Sequence, residues 1–159
     1  MSVEYKEKIS PEIEGVIFLV CKEGNVLLEE RIDPNKAYFG LKIIPGGHVD
    51  YLMDKNHEDA RDREVFEECG VVVKGSVLLD TFYNVTAAKK LCFTSAYLVT
   101  DYEGEVQDKE PEKSKHIWVR IQEAKKLLPF VESRYILDLA TKKLTEKGLL
   151  KDSGETHPA

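Results

Sequence analysis

An α+β domain, with helices packed on a mixed β-sheet, is the fold class this sequence predicts. Three observations carry the prediction. Short apolar runs rich in Val, Ile, Leu and Phe recur between turn residues and read as strands. One helical pattern lies mid-chain, ending at Gly70, and a longer one closes the chain over residues 132–147. Strands in this order around those helices call for helices laid on a sheet.

Residues 1–11 are polar and read as a loose lead-in. Residues 15–21 are nearly all apolar, the pattern of a strand buried on both faces. Gly24-Asn25 reads as a hairpin connection, so residues 26–31 are expected to return antiparallel. Asp33-Pro34-Asn35-Lys36 breaks the pattern, and residues 42–44 form a short strand leading into a turn at Pro45-Gly46-Gly47. After the mid-chain helix, residues 71–73 and 77–85 read as strand. In the second, Val77, Leu79, Tyr83 and Val85 make the more apolar face, opposite Asp80 and Asn84. Residues 91–99 carry apolar side chains on both faces, as a central strand does. Residues 101–113 are acidic and read as loop. Residues 116–120 form a short strand around Trp118, a core candidate. Residues 122–128 form a helix stopped by Pro129. In the last helix Tyr135, Ile136, Leu139, Ala140 and Leu144 make the buried stripe. The expected organisation is one domain over residues 1–150 with a disordered tail over 151–159.

The chain's 159 residues, 42% hydrophobic and 33% charged, fit one globular domain with a real core. A net charge of −6 argues against nucleic acid as a partner. It leaves a nucleotide substrate open, because a bound cation can supply positive charge locally. Cys21, Cys69 and Cys92 are widely spaced in apolar surroundings and read as buried free thiols. No stretch approaches the ~20 apolar residues that span a bilayer, and the N-terminus lacks an apolar signal core, so the expected location is cytoplasmic, away from membranes. A homodimer is compatible with the sequence.

The segment Arg63-Glu64-Val65-Phe66-Glu67-Glu68-Cys69-Gly70-Val71 organises the rest. Asn56 is placed to N-cap a helix, with Asp59 three residues on, and Gly70 to end it in a left-handed cap. On that helix Glu64, Glu67 and Glu68 share one face, and Val65, Phe66 and Cys69 fall opposite and can bury. Like charges at this spacing cost about 0.2–0.5 kcal/mol per pair. A hard divalent cation such as Mg²⁺, which takes oxygen ligands, would relieve the repulsion; a solvated acidic face is the other reading. Upstream, Pro45-Gly46-Gly47 allows the backbone to approach a ligand closely.

Together the glycines and the acidic helix resemble the box of the Nudix hydrolase family, Gly-x5-Glu-x7-Arg-Glu-U-x-Glu-Glu-x-Gly-U with U aliphatic. Gly47 matches the opening glycine, and Arg63, Glu64, Val65, Glu67, Glu68, Gly70 and Val71 match the second half. The stretch between Gly47 and Arg63 is two residues longer than the pattern, and its upstream Glu is missing, with Asp54 nearest the place. The resemblance implies an α/β/α sandwich around a mixed sheet. It also implies cleavage of a nucleoside diphosphate linked to another group. Carried over, it makes Glu64, Glu67 and Glu68, with the carbonyl of Gly46 or Gly47, ligands of Mg²⁺ (or Mn²⁺). Arg63 orients a box carboxylate, and Arg31 faces the substrate phosphates. The general base is a box glutamate or a loop glutamate, Glu110 or Glu112. The run around these two, followed by Trp118-Val119, resembles the branch that cleaves nucleoside triphosphates.

Lys42 stands where many members carry an aromatic; Tyr38 and Phe39 are alternatives, or ordinary packing residues. His48 reads as a loop hydrogen-bonder and His57 as a solvated first-turn residue. Three functions follow: hydrolysis of a nucleoside triphosphate to monophosphate and pyrophosphate, hydrolysis of ADP-ribose or another nucleoside diphosphate derivative, and a noncatalytic nucleotide-sensing module.

Overall fold

The computed structural model describes residues 10–151, and among these residues there are seven strands and three helices. The readings for the lead-in before residue 10 and for the tail after 151 lie outside the described residues. The strands are β1 (Ile13–Lys22), β2 (Asn25–Arg31), β3 (Lys42–Ile43), β4 (Gly46–His48), β5 (Val72–Val85), β6 (Leu91–Glu103) and β7 (Ser114–Arg120). The helices are α1 (His57–Cys69), α2 (Ile121–Leu127) and α3 (Val131–Glu146).

β1 and β2 form the expected hairpin, but its two turn residues are Glu23 and Gly24, both at positive φ, and Asn25 already belongs to β2. The hairpin is short: only Cys21 and Lys22 pair across it. Beyond that point the strands part. β1 takes β6 as a parallel neighbour and β4 as an antiparallel one, while β2 takes β7 and β3. The sheet order β3-β2-β1-β6-β5 is therefore mixed, with β4 and β7 attached beside it.

Alternation along β1 splits the core into two layers. Leu19 and Cys21 face α2 and α3, packing with Leu28, Ala96, Leu98, Ile121, Ile136, Leu137 and Ala140. Phe18 and Val20 face α1, packing with Leu27, Val65, Cys69, Val71 and Val99. Helices cover both faces, giving the α/β/α sandwich. β6 is buried on both faces from Thr94 to Val99, as its composition required.

Several local readings are corrected. Gly46 and Gly47 are not a turn; they begin β4, paired with Ile17 and Val16, and neither has positive φ. Residues 71–73 and 77–85 belong to one strand, β5. Its register shifts between Leu78 and Asp80, which turns Phe82 inward and leaves Tyr83 and Val85 exposed. β6 extends to Glu103, shortening the loop that follows. In α3 Leu137 is buried while Tyr135 is exposed, its hydroxyl donating to Asp80. Trp118 is 40% exposed rather than core, and Phe66 is 53% exposed, because α1 buries Ala60, Arg61, Val65, Glu68 and Cys69 instead. No helix among the described residues is long and apolar enough to cross a membrane.

Candidate active site

The N-terminus of α1 is built as the sequence required. Asn56 accepts the Asp59 N–H through its side chain (2.8 Å), and Gly70 at φ 75° closes the helix. Asp59 reaches one residue further back than its capping role required, to the Lys55 N–H (3.0 Å). From the middle of the helix, Arg63 ties the lengthened loop down. Its Nε and one terminal nitrogen donate to the two oxygens of Asp54 at 2.9 and 2.8 Å. That terminal nitrogen also reaches the His48 carbonyl (3.1 Å), and the other lies 3.1 Å from both Glu64 and Glu67. Asp54 also accepts the Asp50 N–H (2.9 Å) and is almost fully buried. The Arg63 guanidinium holds its carboxyl below the usual range. Two parallel N–H···O bonds of this kind fix orientation as well as charge. Asp54 thus anchors the loop across the extra residues.

Gly47 is needed for space. A Cβ there would strike the Glu64 carboxylate, and one on Gly46 would strike the Val16 carbonyl. Glu64 and Glu68 lie side by side, and both titrate above the ordinary range, chiefly through burial. For Glu68 the fields of Glu29, Glu64 and Glu110 add to the burial. Glu29 is a residue the sequence reading passed over. It lies on β2 opposite His116, is 4% exposed, and is likewise raised by burial, opposed by Arg31 and His116. Glu29 points to the α1 side because it falls in the Leu27, Glu29, Arg31 register of β2. An acidic residue at a core-facing strand position was the signal available in the sequence.

Three buried polar atoms here have no partner: Glu68 Oε2, Arg31 Nε and His116 Nε2. His116 is held through Nδ1 by Asp108 at 3.0 Å. Among the described residues, no three Asp, Glu, His or Cys side chains already converge as a metal cage. Glu67 is half exposed and drawn toward Arg63. The donor set nevertheless fits a hard cation: all-oxygen, anionic, with an orphaned buried carboxylate oxygen beside three other acids.

Of the predicted site residues, the structure brings Glu64, Glu68, Arg63 and Gly47 together, with Gly46 next in β4 and Arg31 3.4 Å from Glu29. Glu67 stands on the exposed flank. Of the loop pair, Glu110 is the one whose charge reaches Glu29 and Glu68; Glu112 is exposed beside Lys113. His48 contributes its carbonyl rather than its ring. His57 is not solvated: its ring bridges Glu14 (2.6 Å) and Ser95 (2.7 Å). Lys42 pairs with Glu30 at 3.8 Å.

On the α3 side of the sheet lies a cleft of about 210 Å³, walled by Ile17, Ile44, Tyr38, Phe82 and Phe130, with Asn84 and Thr94 on its floor. Tyr38 is held at φ 65° and, though partly open to solvent, meets Phe130 edge-on at 5.1 Å; Phe39 is more exposed still. A non-glycine residue in that region costs of order 1 kcal/mol, and such strain gathers at ligand sites. The cleft and the carboxylates meet across Ile44–Gly47, three residues of extended chain or roughly 10 Å.

The sandwich and the buried, all-oxygen acid cluster on its mid-chain helix define a class: a domain built to hold a hard cation at the end of a glycine strand. Residues 12–139 match the NUDIX domain family, and the chain belongs to it. It is a pyrophosphohydrolase, cleaving phosphoric anhydrides. Among solved structures it is similar to the MutT NUDIX hydrolase of Burkholderia pseudomallei, with TM-score 0.68 and 25% identity over 81% of this chain and 98% of that one. It is also similar in fold to the NUDIX domain of Shewanella oneidensis NrtR complexed with ADP ribose, with TM-score 0.69 and 21% identity over 91% and 99%. The MutT protein of Bacillus halodurans shares the fold at TM-score 0.63 and 24% identity over 79% and 80%. No curated relative matches the chain.

Proposed function

We propose that the protein hydrolyses a nucleoside triphosphate to the monophosphate and pyrophosphate, with Mg²⁺ or Mn²⁺ as the cation. One observation carries the reading: an aromatic-walled cleft opens one short stretch of chain, Ile44–Gly47 or roughly 10 Å, from the buried acids. A base in the cleft would lay its phosphates over Gly46 and Gly47 toward α1. Arg31, whose Nε lacks a partner, would take a phosphate oxygen. Glu64, Glu67 and Glu68, with the Gly46 carbonyl, would hold the cation. When bound, it supplies positive charge against the diphosphate and lowers the pKa of its water. Arg63 and Asp54 keep Glu64 aimed at that position. Glu110, rather than Glu112, would take the proton of the attacking water, since its charge is the one that reaches Glu29 and Glu68. Similarity to the MutT hydrolases supports this reading; the Shewanella domain complexed with ADP ribose supports ADP-ribose or a related diphosphate as the second.

A panel of the common nucleoside triphosphates and ADP-ribose with Mg²⁺, scored by product, tests it. Pyrophosphate from a triphosphate is the expected result. Cleavage of ADP-ribose alone would replace this reading with the second.

A further inference from the structure

We propose that the cleft selects nucleobases with an oxo group at the position farthest from the sugar, and that the Asn84 amide, aimed by Thr94, makes the selection. The inference rests on the nucleotide reading of the cleft given above.

The floor of the cleft runs from Ile17 on β1 across Thr94 on β6 to Asn84 on β5. The acids and Arg31 lie at the opposite end, beyond β4. A nucleotide bound along this line keeps its sugar near β4 and turns its distal edge toward β5. That edge carries the purine 6-substituent or the pyrimidine 4-substituent. Asn84 is the polar side chain that β5 presents there; Glu132 and Ser133 line the cleft from the start of α3.

Which half of the amide faces the base is set by its neighbours. Thr94 Oγ1 donates to Asn84 Oδ1 at 2.7 Å, a separation typical of O–H···O and short for N–H···O. Thr94 in turn lies 3.4 Å from the Cys92 thiol, which burial keeps protonated and able to donate. The chain therefore runs from thiol to hydroxyl to amide oxygen. Thr94 is 5% exposed, so water does not compete for its proton. With Oδ1 engaged, Asn84 offers its NH₂ donors. The bidentate reading of adenine by Asn needs both the oxygen and the nitrogen of the amide. An NH₂ group alone complements an oxo acceptor and opposes an amino group. Guanine, hypoxanthine and uracil present the oxo group; adenine and cytosine present the amino group.

The test is equilibrium binding of GMP, IMP, UMP, AMP and CMP to the full chain with Mg²⁺, by calorimetry, because it does not depend on turnover. The three oxo bases are expected to bind about tenfold more tightly than the two amino bases, one hydrogen bond's worth of discrimination. Asn84→Asp presents only acceptors and should invert the order. Thr94→Val frees the amide to turn and should bring the ratio near unity while leaving the overall affinity of the better ligands within a few fold. AMP or CMP binding as tightly as GMP, a ratio indifferent to both substitutions, or no binding of any monophosphate overturns the inference. The triphosphate reading fails separately. An oxo preference in binding without pyrophosphate from any triphosphate removes that reading alone. Pyrophosphate release with no base preference removes only this one.

Discussion

The two flanks of α1 treat charge in opposite ways. On the flank facing the lengthened loop, Arg63 binds Asp54, Glu64, Glu67 and a main-chain carbonyl, and every partner is satisfied. On the flank facing β2, Glu68 and Glu29 lie buried near Glu110 and against Glu64, which both flanks share; Glu68 keeps an orphaned oxygen, and burial raises Glu29, Glu64 and Glu68 above the ordinary range. One helix thus carries a finished ion-pair network and an unfinished one a turn apart. The finished flank is scaffold. The unfinished one costs stability until positive charge arrives, which is how a site is kept ready for a cation.

The sharpest way to break the contrast is Glu68→Gln. Turnover with Mg²⁺ should fall a hundredfold or more, since even outer-shell partners of a metal are worth 10–100-fold. The melting temperature without metal should hold or rise, because a buried like-charge contact is relieved. Saturating Mg²⁺ should stabilise the unaltered chain by about 2.7 kcal/mol at a hundred times its Kd, and the variant by much less. A metal-free melt that drops by many degrees would show that Glu68 is structural.

Next in size is Asp54→Asn, on the finished flank. It should lose about 2 kcal/mol in urea unfolding, the worth of hydrogen bonds to a charged group, and turnover should fall as Glu64 loosens. The sign in pH follows from the lowered folded pKa. The unfolded carboxyl titrates near ~3.9, so the contribution is complete above that value and is lost as pH falls through the lower folded value. The variant should therefore lose its deficit relative to the unaltered chain in acid. A deficit that stays undiminished as the pH is lowered into the acid range would refute the ion-pair account.

The smallest effect separates two loop acids. Glu110→Gln should lower turnover about tenfold or more, and Glu112→Gln by less than threefold, because only Glu110 reaches the acids of β2 and α1. Equal losses would remove that distinction.

Much of this was legible in the sequence because it is local. Asn56, Arg63, the three glutamates and Gly70 sit within one helix, where spacing alone fixes direction. β6 was legible because both its faces are apolar. What escaped depends on partners distant in the chain. Glu29 reads as a polar strand residue until β7 and α1 close over it. His57 reads as solvated until Glu14 and Ser95 meet it across the sheet. Phe82 faces inward because of a register shift that no propensity announces. Gly46 and Gly47 do allow close approach, but in a strand rather than a turn, and what they approach is the Val16 carbonyl and the Glu64 carboxylate respectively.

The parallel alignment of β1 with β6 bears on how the chain acquires its shape. These strands are joined at their start by a bond between residues 79 positions apart, Leu91 N–H to Glu12. Closing a loop that long is slow relative to forming helices and hairpins. During synthesis β1 has β2 and β4 to pair with early, but the edge that takes β6 stays open until β6 has left the ribosome, so the nascent chain must hold one side of its most apolar strand uncovered meanwhile.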